Sequence, residues 1–296
     1  MKVGVNQFCW PTSYDVKDAM TLSKNIGFDS FEVCFTAGNS RSGSISGVTD
    51  ALNISNYCNR LLNVDSNSED IMELKKLAQD IGIRISSVGG IISFSIYPLT
   101  SPEISTAQKS QDAIKKMIEA AQMLEADTVL VIPGMLTEDM RYEEAYDRVQ
   151  KRISNLADFA PEINLAIENV WNNFLYSPIE MNRFVDEMNK PNVGIYFDVA
   201  NARTFGYPEQ WILTLGQRIK KLHVKDFRMS IDNINGFTNI LDGDVNYLKV
   251  INSLNRIGYE GDLIVELIPP AQYMVYESLK YARNTVNHLI NKKSEV

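Results

Sequence analysis

A closed (β/α)8 barrel is the fold this sequence predicts, and three observations predict it. Eight short stretches rich in Val, Ile and Leu recur along the 296 residues, with amphipathic helical stretches in most of the gaps. A passage from helix end to strand repeats four times, as IGFDSFEVCF (26–35), IGIRISSVGG (81–90), LEADTVLVIPG (124–134) and IGYEGDLIVEL (257–267). No low-complexity or Pro/Gly/Ser-rich linker divides the chain. A barrel needs about 250 residues, so residues 1–296 read as one domain.

The strands are expected near 2–7, 29–34, 84–90, 128–133, 164–169, 193–198, 219–225 and 262–267. Their continuous apolar character suits parallel strands covered on both faces. Gly27, Gly82 and Gly258 stand where a helix ends in a left-handed residue. Region 36–70 is the exception: Ser/Asn/Gly-rich and longer than a normal βα connection, it predicts an insertion over the catalytic face, partly helical around 50–63. Ser177-Pro178-Ile179-Glu180 predicts a helix start with a Ser cap, Pro in the first turn and Glu closing a capping box, and Ser101-Pro102-Glu103 resembles it. Tyr276, Leu279, Ala282, Val286 and Leu289 put one apolar face on the last helix. An open doubly wound sheet would use the same units, but no G-x-G-x-x-G follows the first strand and there is no phosphate loop.

Composition removes several classes of partner. Lys+Arg 29 against Asp+Glu 37 gives a net charge of −8 with no basic run, so a nucleic-acid partner is not expected. Cys9, Cys34 and Cys58 are odd in number and lack metal-ligand spacing, which argues against a disulfide framework and for a reducing compartment. No apolar stretch of signal-peptide or membrane-spanning character is present. The expectation is a cytoplasmic protein without a membrane partner, and a homo-oligomer is compatible with the sequence.

Function in a barrel sits at the C-terminal ends of the strands. INLAIEN ends in Glu168 and Asn169, VGIYFDVAN in Asp198, IKKLHVKDF in His223, Lys225 and Asp226, and GDLIVEL in Glu266. Singly, each is as readily a solvated loop residue, a helix cap or a structural histidine. Together, four consecutive strands deliver three carboxylates and one imidazole to one place, and like charges so close resist ionising together. A hard divalent cation resolves the conflict. The donor set predicts Mn²⁺ first, with Mg²⁺, Co²⁺ or Zn²⁺ also acceptable. Only two histidines exist, and His288 lies near the end of the last helix, so a multi-zinc site is not expected.

These pieces, AIEN, YFDVAN, HVKDF and DGDVNYLKVINSLNRIGYEGDLIVE, resemble the xylose isomerase-like TIM barrels. This sugar phosphate isomerase/epimerase superfamily includes D-tagatose 3-epimerase and L-xylulose 5-phosphate 3-epimerase. The resemblance covers nearly the whole chain, is strongest over 164–270, and implies metal ligands at Glu168, Asp198, His223 and Glu266. Asn201 stands where free-ketose epimerases often carry a substrate-contacting His, and looks more like the pentulose-phosphate enzymes. The Arg expected after the seventh strand is not at its position; Arg228 lies close to it, and Lys225 is the alternative cation.

The reaction expected is metal-assisted proton transfer next to a carbonyl of a small sugar or sugar phosphate, through an enediolate. Glu168 and Glu266 would remove and return the proton from opposite sides of the sugar. Asp198 and His223 would act as ligands only. Lys225 would meet a substrate oxygen or, equally, a salt bridge to Asp226 or Glu266. Trp10, Trp171 and Phe174 would wall the pocket or pack in the core. A metal-dependent inosose or sugar dehydratase is the alternative enzyme, and a non-catalytic sugar-binding barrel the alternative outside catalysis.

Overall fold

The computed structural model describes residues 1–37 and 59–292. The strands are β1 (Lys2–Asn6), β2 (Ser30–Cys34), β3 (Arg84–Gly89), β4 (Thr128–Val131), β5 (Asn164–Glu168), β6 (Val193–Asp198), β7 (Ile219–Val224), β8 (Asp226–Phe227), β9 (Phe237–Thr238) and β10 (Asp262–Val265). All but β8 and β9 form one closed parallel barrel in chain order, shut by β1 against β10 with Val3 opposite Leu263. Each barrel strand lies within two residues of its expected bounds. The small antiparallel ribbon of β8 and β9 is unforeseen in the sequence, because two-residue strands leave no periodic signal.

Around the barrel lie α1 (Val16–Ile26), α2 (Ser68–Ile81), α3 (Ile104–Leu124), α4 (Tyr142–Phe159), α5 (Pro178–Met188), α6 (Val199–Arg203), α7 (Pro208–Leu215), α8 (Tyr247–Arg256) and α9 (Val275–Asn291). Their ends follow local chemistry. Gly27 and Gly82 close α1 and α2 at φ of 98° and 74°, backbone that a side chain disfavours. Ser177 accepts the Glu180 amide at 3.1 Å to start α5, but the Glu180 carboxylate accepts the Tyr142 hydroxyl instead of completing a capping box. The start expected at Ser101-Pro102 falls two residues later: Glu103 caps α3, and Ser101 only holds the preceding turn.

The insertion expected at 36–70 is described only at its edges. Thr36 bridges Asn63 in parallel, and Asn59 donates to the Cys34 carbonyl at 3.0 Å, so the segment returns to the C-terminal end of β2. Of the helix expected around 50–63, residues 50–58 lie outside the described residues, and 59–63 are irregular. No helix among the described residues is long and apolar enough to cross a membrane.

Strand alternation determines what the barrel encloses. Side chains two apart share a face. One set packs outward against the helices in the main core, including Leu165, Ile167, Phe197, Leu222 and Val265. The other set meets inside, where Leu130, Ala166, Tyr196 and Ile264 form a buried cluster. Below it, Arg84 and Lys221 hold Asp262 at 2.7 and 3.2 Å, and Lys221 also holds Asp127 at 2.9 Å. Two cations there face two carboxylates. Two residues above the same cluster come Glu168, Asp198 and Glu266, and His223 stands two residues above Lys221, so one alternation register carries both ends.

Candidate metal centre and pocket

Glu168, Asp198, His223 and Glu266 are all buried, and each offers one ligand atom within 4.8 Å of the other three. The His223 Nδ1 faces them, at 2.9 Å from Glu168, 3.4 Å from Glu266 and 4.0 Å from Asp198. Asp198 also caps α6 by accepting the Asn201 amide at 2.7 Å through Oδ1. Its other oxygen accepts from Lys225, which donates to Glu266 as well at 2.6 Å. Lys225 therefore takes the salt bridge to Glu266 and adds Asp198. It does not pair with Asp226.

A fourth acidic side chain completes the arrangement. Glu32, fully buried in the middle of β2, accepts from Asn6 and Ser87 at 2.6 Å and from Tyr196 at 2.5 Å, and lies 2.7 Å from His223 Nε2. It fixes the imidazole so that Nδ1 points at the other carboxylates. Carboxylate support of this kind sets ring orientation and basicity in metal-ligating histidines. Sequence reading passes over Glu32 because it stands amid SFEVCF; the signal available was a carboxylate at an inward position of an otherwise apolar strand.

The charge balance differs from that of the lower network. Among the described residues, four buried carboxylates, from Glu32, Glu168, Asp198 and Glu266, face only Lys225 and His223. Burial pushes the Glu168 carboxyl up to about 7, against the pull of its His223 hydrogen bond. His223 is raised well above the ordinary imidazole range: burial lowers it, but Glu266 and Glu32 outweigh burial. Burial likewise favours protonated Glu32, yet His223 and the Ser87 and Tyr196 hydroxyls hold its carboxyl low. Excess negative charge in low dielectric is the condition a divalent cation relieves, and three carboxylates with one imidazole suit a hard or borderline ion. The residues present fit such an ion.

Glu32, Glu168, His223, Lys225 and Glu266 floor a cavity of about 730 Å³, counted with its open mouth. Of the residues expected from sequence to meet substrate, Asn201, Lys225 and Trp171 line it. Trp10 does not: it is wholly buried, donates to Ser23 at 3.0 Å and packs on Tyr14. Phe174 also belongs to the core, 5.2 Å from the Tyr142 ring. Arg228 is exposed and donates to the Asp242 carbonyl at 2.8 Å, outside the lining. The cause lies in Asp226, whose buried carboxylate accepts the amides of Phe227, Leu241 and Val245 and folds 226–245 into the ribbon that presents Phe237 to the cavity. His288 is exposed on α9.

Fold and site together define a (β/α)8 barrel with a buried acid–imidazole centre at the mouth used for catalysis in such barrels. The chain belongs to the xylose isomerase-like TIM barrel family, whose profile matches residues 20–285. Among solved structures it is similar to a D-tagatose 3-epimerase-like protein (22% identity, 97% of this chain and 99% of that one, TM-score 0.73). It is similar also to D-psicose 3-epimerase crystallised in the presence of D-fructose (18% identity, 99% and 100%, TM-score 0.73). A third is 3-keto-D-glucoside 4-epimerase from E. coli (14% identity, 96% and 99%, TM-score 0.70). At these identities the likeness is one of fold. An uncharacterized protein of Methanocaldococcus jannaschii is 25% identical over 167 residues, 52% of this chain and 55% of that protein, so the match spans about half of each.

Proposed function

We propose that this protein is a divalent-metal-dependent isomerase or epimerase of a small sugar, moving a proton on a carbon next to a carbonyl. One observation carries the reading: four consecutive barrel strands bring ligand atoms of Glu168, Asp198, His223 and Glu266 within 4.8 Å of one another, in a site with surplus buried negative charge. The sugar epimerases among the structural neighbours support it. The cation, Mn²⁺ by preference, would supply Lewis acidity toward the carbonyl and a neighbouring hydroxyl.

The chain's own residues do the rest. Glu168 and Glu266 stand on β5 and β10, three places apart round an eight-strand barrel and so nearly across its mouth. In a 3-epimerisation one takes the proton and the other returns it on the opposite face; in a 1,2-isomerisation one carries it between carbons. Asp198 and His223 would hold the ion without exchanging protons. Lys225 spends two N–H groups on Asp198 and Glu266 and keeps a third for a substrate oxygen.

The test is metal analysis of the purified protein, followed by a panel of ketoses and inososes in D₂O read by NMR. The expected result is about one equivalent of divalent metal and metal-dependent C–H exchange without loss of water. Loss of water would make the enzyme a dehydratase. Neither bound metal nor exchange after reconstitution would end the reading. Glu32 supplies a second test. Glu32→Ala should weaken metal affinity by about 10–100-fold in a chelator competition, with Glu32→Gln, which keeps an acceptor, close to wild type. Unchanged affinity in Glu32→Ala would show that His223 needs no such support.

A further inference from the structure

The cavity has two unlike halves. Its polar lining gathers at the floor, where Asn6, Glu32, Glu168, His223, Lys225 and Glu266 are largely committed to one another, and Asn201 donates to the Asn169 carbonyl. The walls above are apolar, formed by Phe94, Ile132, Val170, Trp171 and Phe237. The one polar tip on these walls is already in use. The Trp171 indole N–H donates to the Asn201 carbonyl at 3.1 Å, and its ring stacks on Phe237 with centroids 5.0 Å apart. Among the described lining residues Lys225 is the only Lys or Arg, and it is held by two carboxylates. Gly90 offers no phosphate cradle, because a Cβ there would meet the Phe35 carbonyl at 2.4 Å, so its small size serves packing.

We infer that the sugar taken by this site is unphosphorylated and poor in hydroxyls beyond its reacting carbons: a deoxyketose, bound with its hydroxy-ketone end on the floor and its methyl end against the apolar walls. The inference rests on the isomerase reading above. A hydroxyl buried on these walls without a partner weakens binding roughly ten- to hundred-fold, whereas a methyl gains from burial. A phosphate dianion would meet no uncommitted Lys or Arg among the described lining residues, and would approach a site already rich in carboxylates.

The experiment compares, on the metal-loaded protein, kcat/KM for deuterium exchange into each ketohexose of a panel, its 6-deoxy counterpart and its 6-phosphate. The 6-deoxy sugar should exceed its parent about ten-fold and the phosphate about hundred-fold. Val170→Thr, nearly isosteric but bringing a hydroxyl to the wall, should narrow the deoxy-to-parent ratio at least about three-fold. Preference for the phosphate, or for the parent over the deoxy sugar, overturns the inference and leaves the isomerase reading standing. Exchange with no member of the panel brings down that reading, and the inference with it.

Discussion

Glu168→Gln is expected to slow proton exchange by about a thousand-fold and at the same time to stabilise the metal-free protein at pH 8. The two effects share one cause. Glu168 is buried among other carboxylates, and its carboxyl is pushed up to about 7. At pH 8 the folded, metal-free protein must hold it ionised, at a cost of up to about 3 kcal/mol relative to the unfolded chain. An amide of the same shape removes that cost and still accepts from His223, but it neither exchanges protons nor binds a hard cation well. Glu266→Gln should also abolish exchange, yet with the opposite sign on stability. It releases the Lys225 ammonium, 2.6 Å away, to Asp198 alone, at a loss of about 1–3 kcal/mol. Exchange rates by NMR and melting of EDTA-treated protein check both. Full activity in Glu168→Gln would exclude its part in proton transfer, and a lower melting point than wild type at pH 8 would exclude the electrostatic account.

How much of this was legible in the sequence depends on how far each signal reaches along the chain. The strands were, because burial on both faces demands runs such as DLIV and VGIYF that survive without knowledge of neighbours. Glu168, Asp198, His223 and Glu266 were, because an ionisable residue ending such a run has only one place to go in a barrel. Partners were not. That Lys225 would join Asp198 as well as Glu266 depends on the register of β6 against β7, where a bulge between Ile195 and Tyr196 shifts the pairing. Arg228 was misplaced for a related reason: counting along the strand fails where Asp226 gathers three amides and turns the chain away. Trp10, expected either to wall the pocket or to pack in the core, packs on Tyr14 in the core, since a residue just past a strand end can turn either way and nothing local decides it.

Stripping the metal should also invert the way stability follows pH. In the metal-free protein Glu168, ordinarily near 4.5, titrates at about 7, so between those values the folded state keeps a proton that the unfolded chain has released. Stability then falls as pH rises through that window. His223 acts in the same direction: its folded value lies well above 6.5, so its contribution is complete below 6.5 and is lost as pH climbs through the folded value. Glu32, held low by His223, works oppositely and is lost only on acidification below the usual carboxylate range. The metal-free protein should therefore melt highest at mildly acidic pH. A bound cation needs Glu168 ionised and His223 without its proton, so protons compete with it. The melting-point gain on adding Mn²⁺ should grow steadily from pH 5.5 to 8, reaching about 3 kcal/mol of stabilisation once free metal is a hundred times its dissociation constant. A gain that does not change with pH, or metal-free protein that becomes more stable from pH 5 to 7, would mean that these carboxylates do not share one cation with His223.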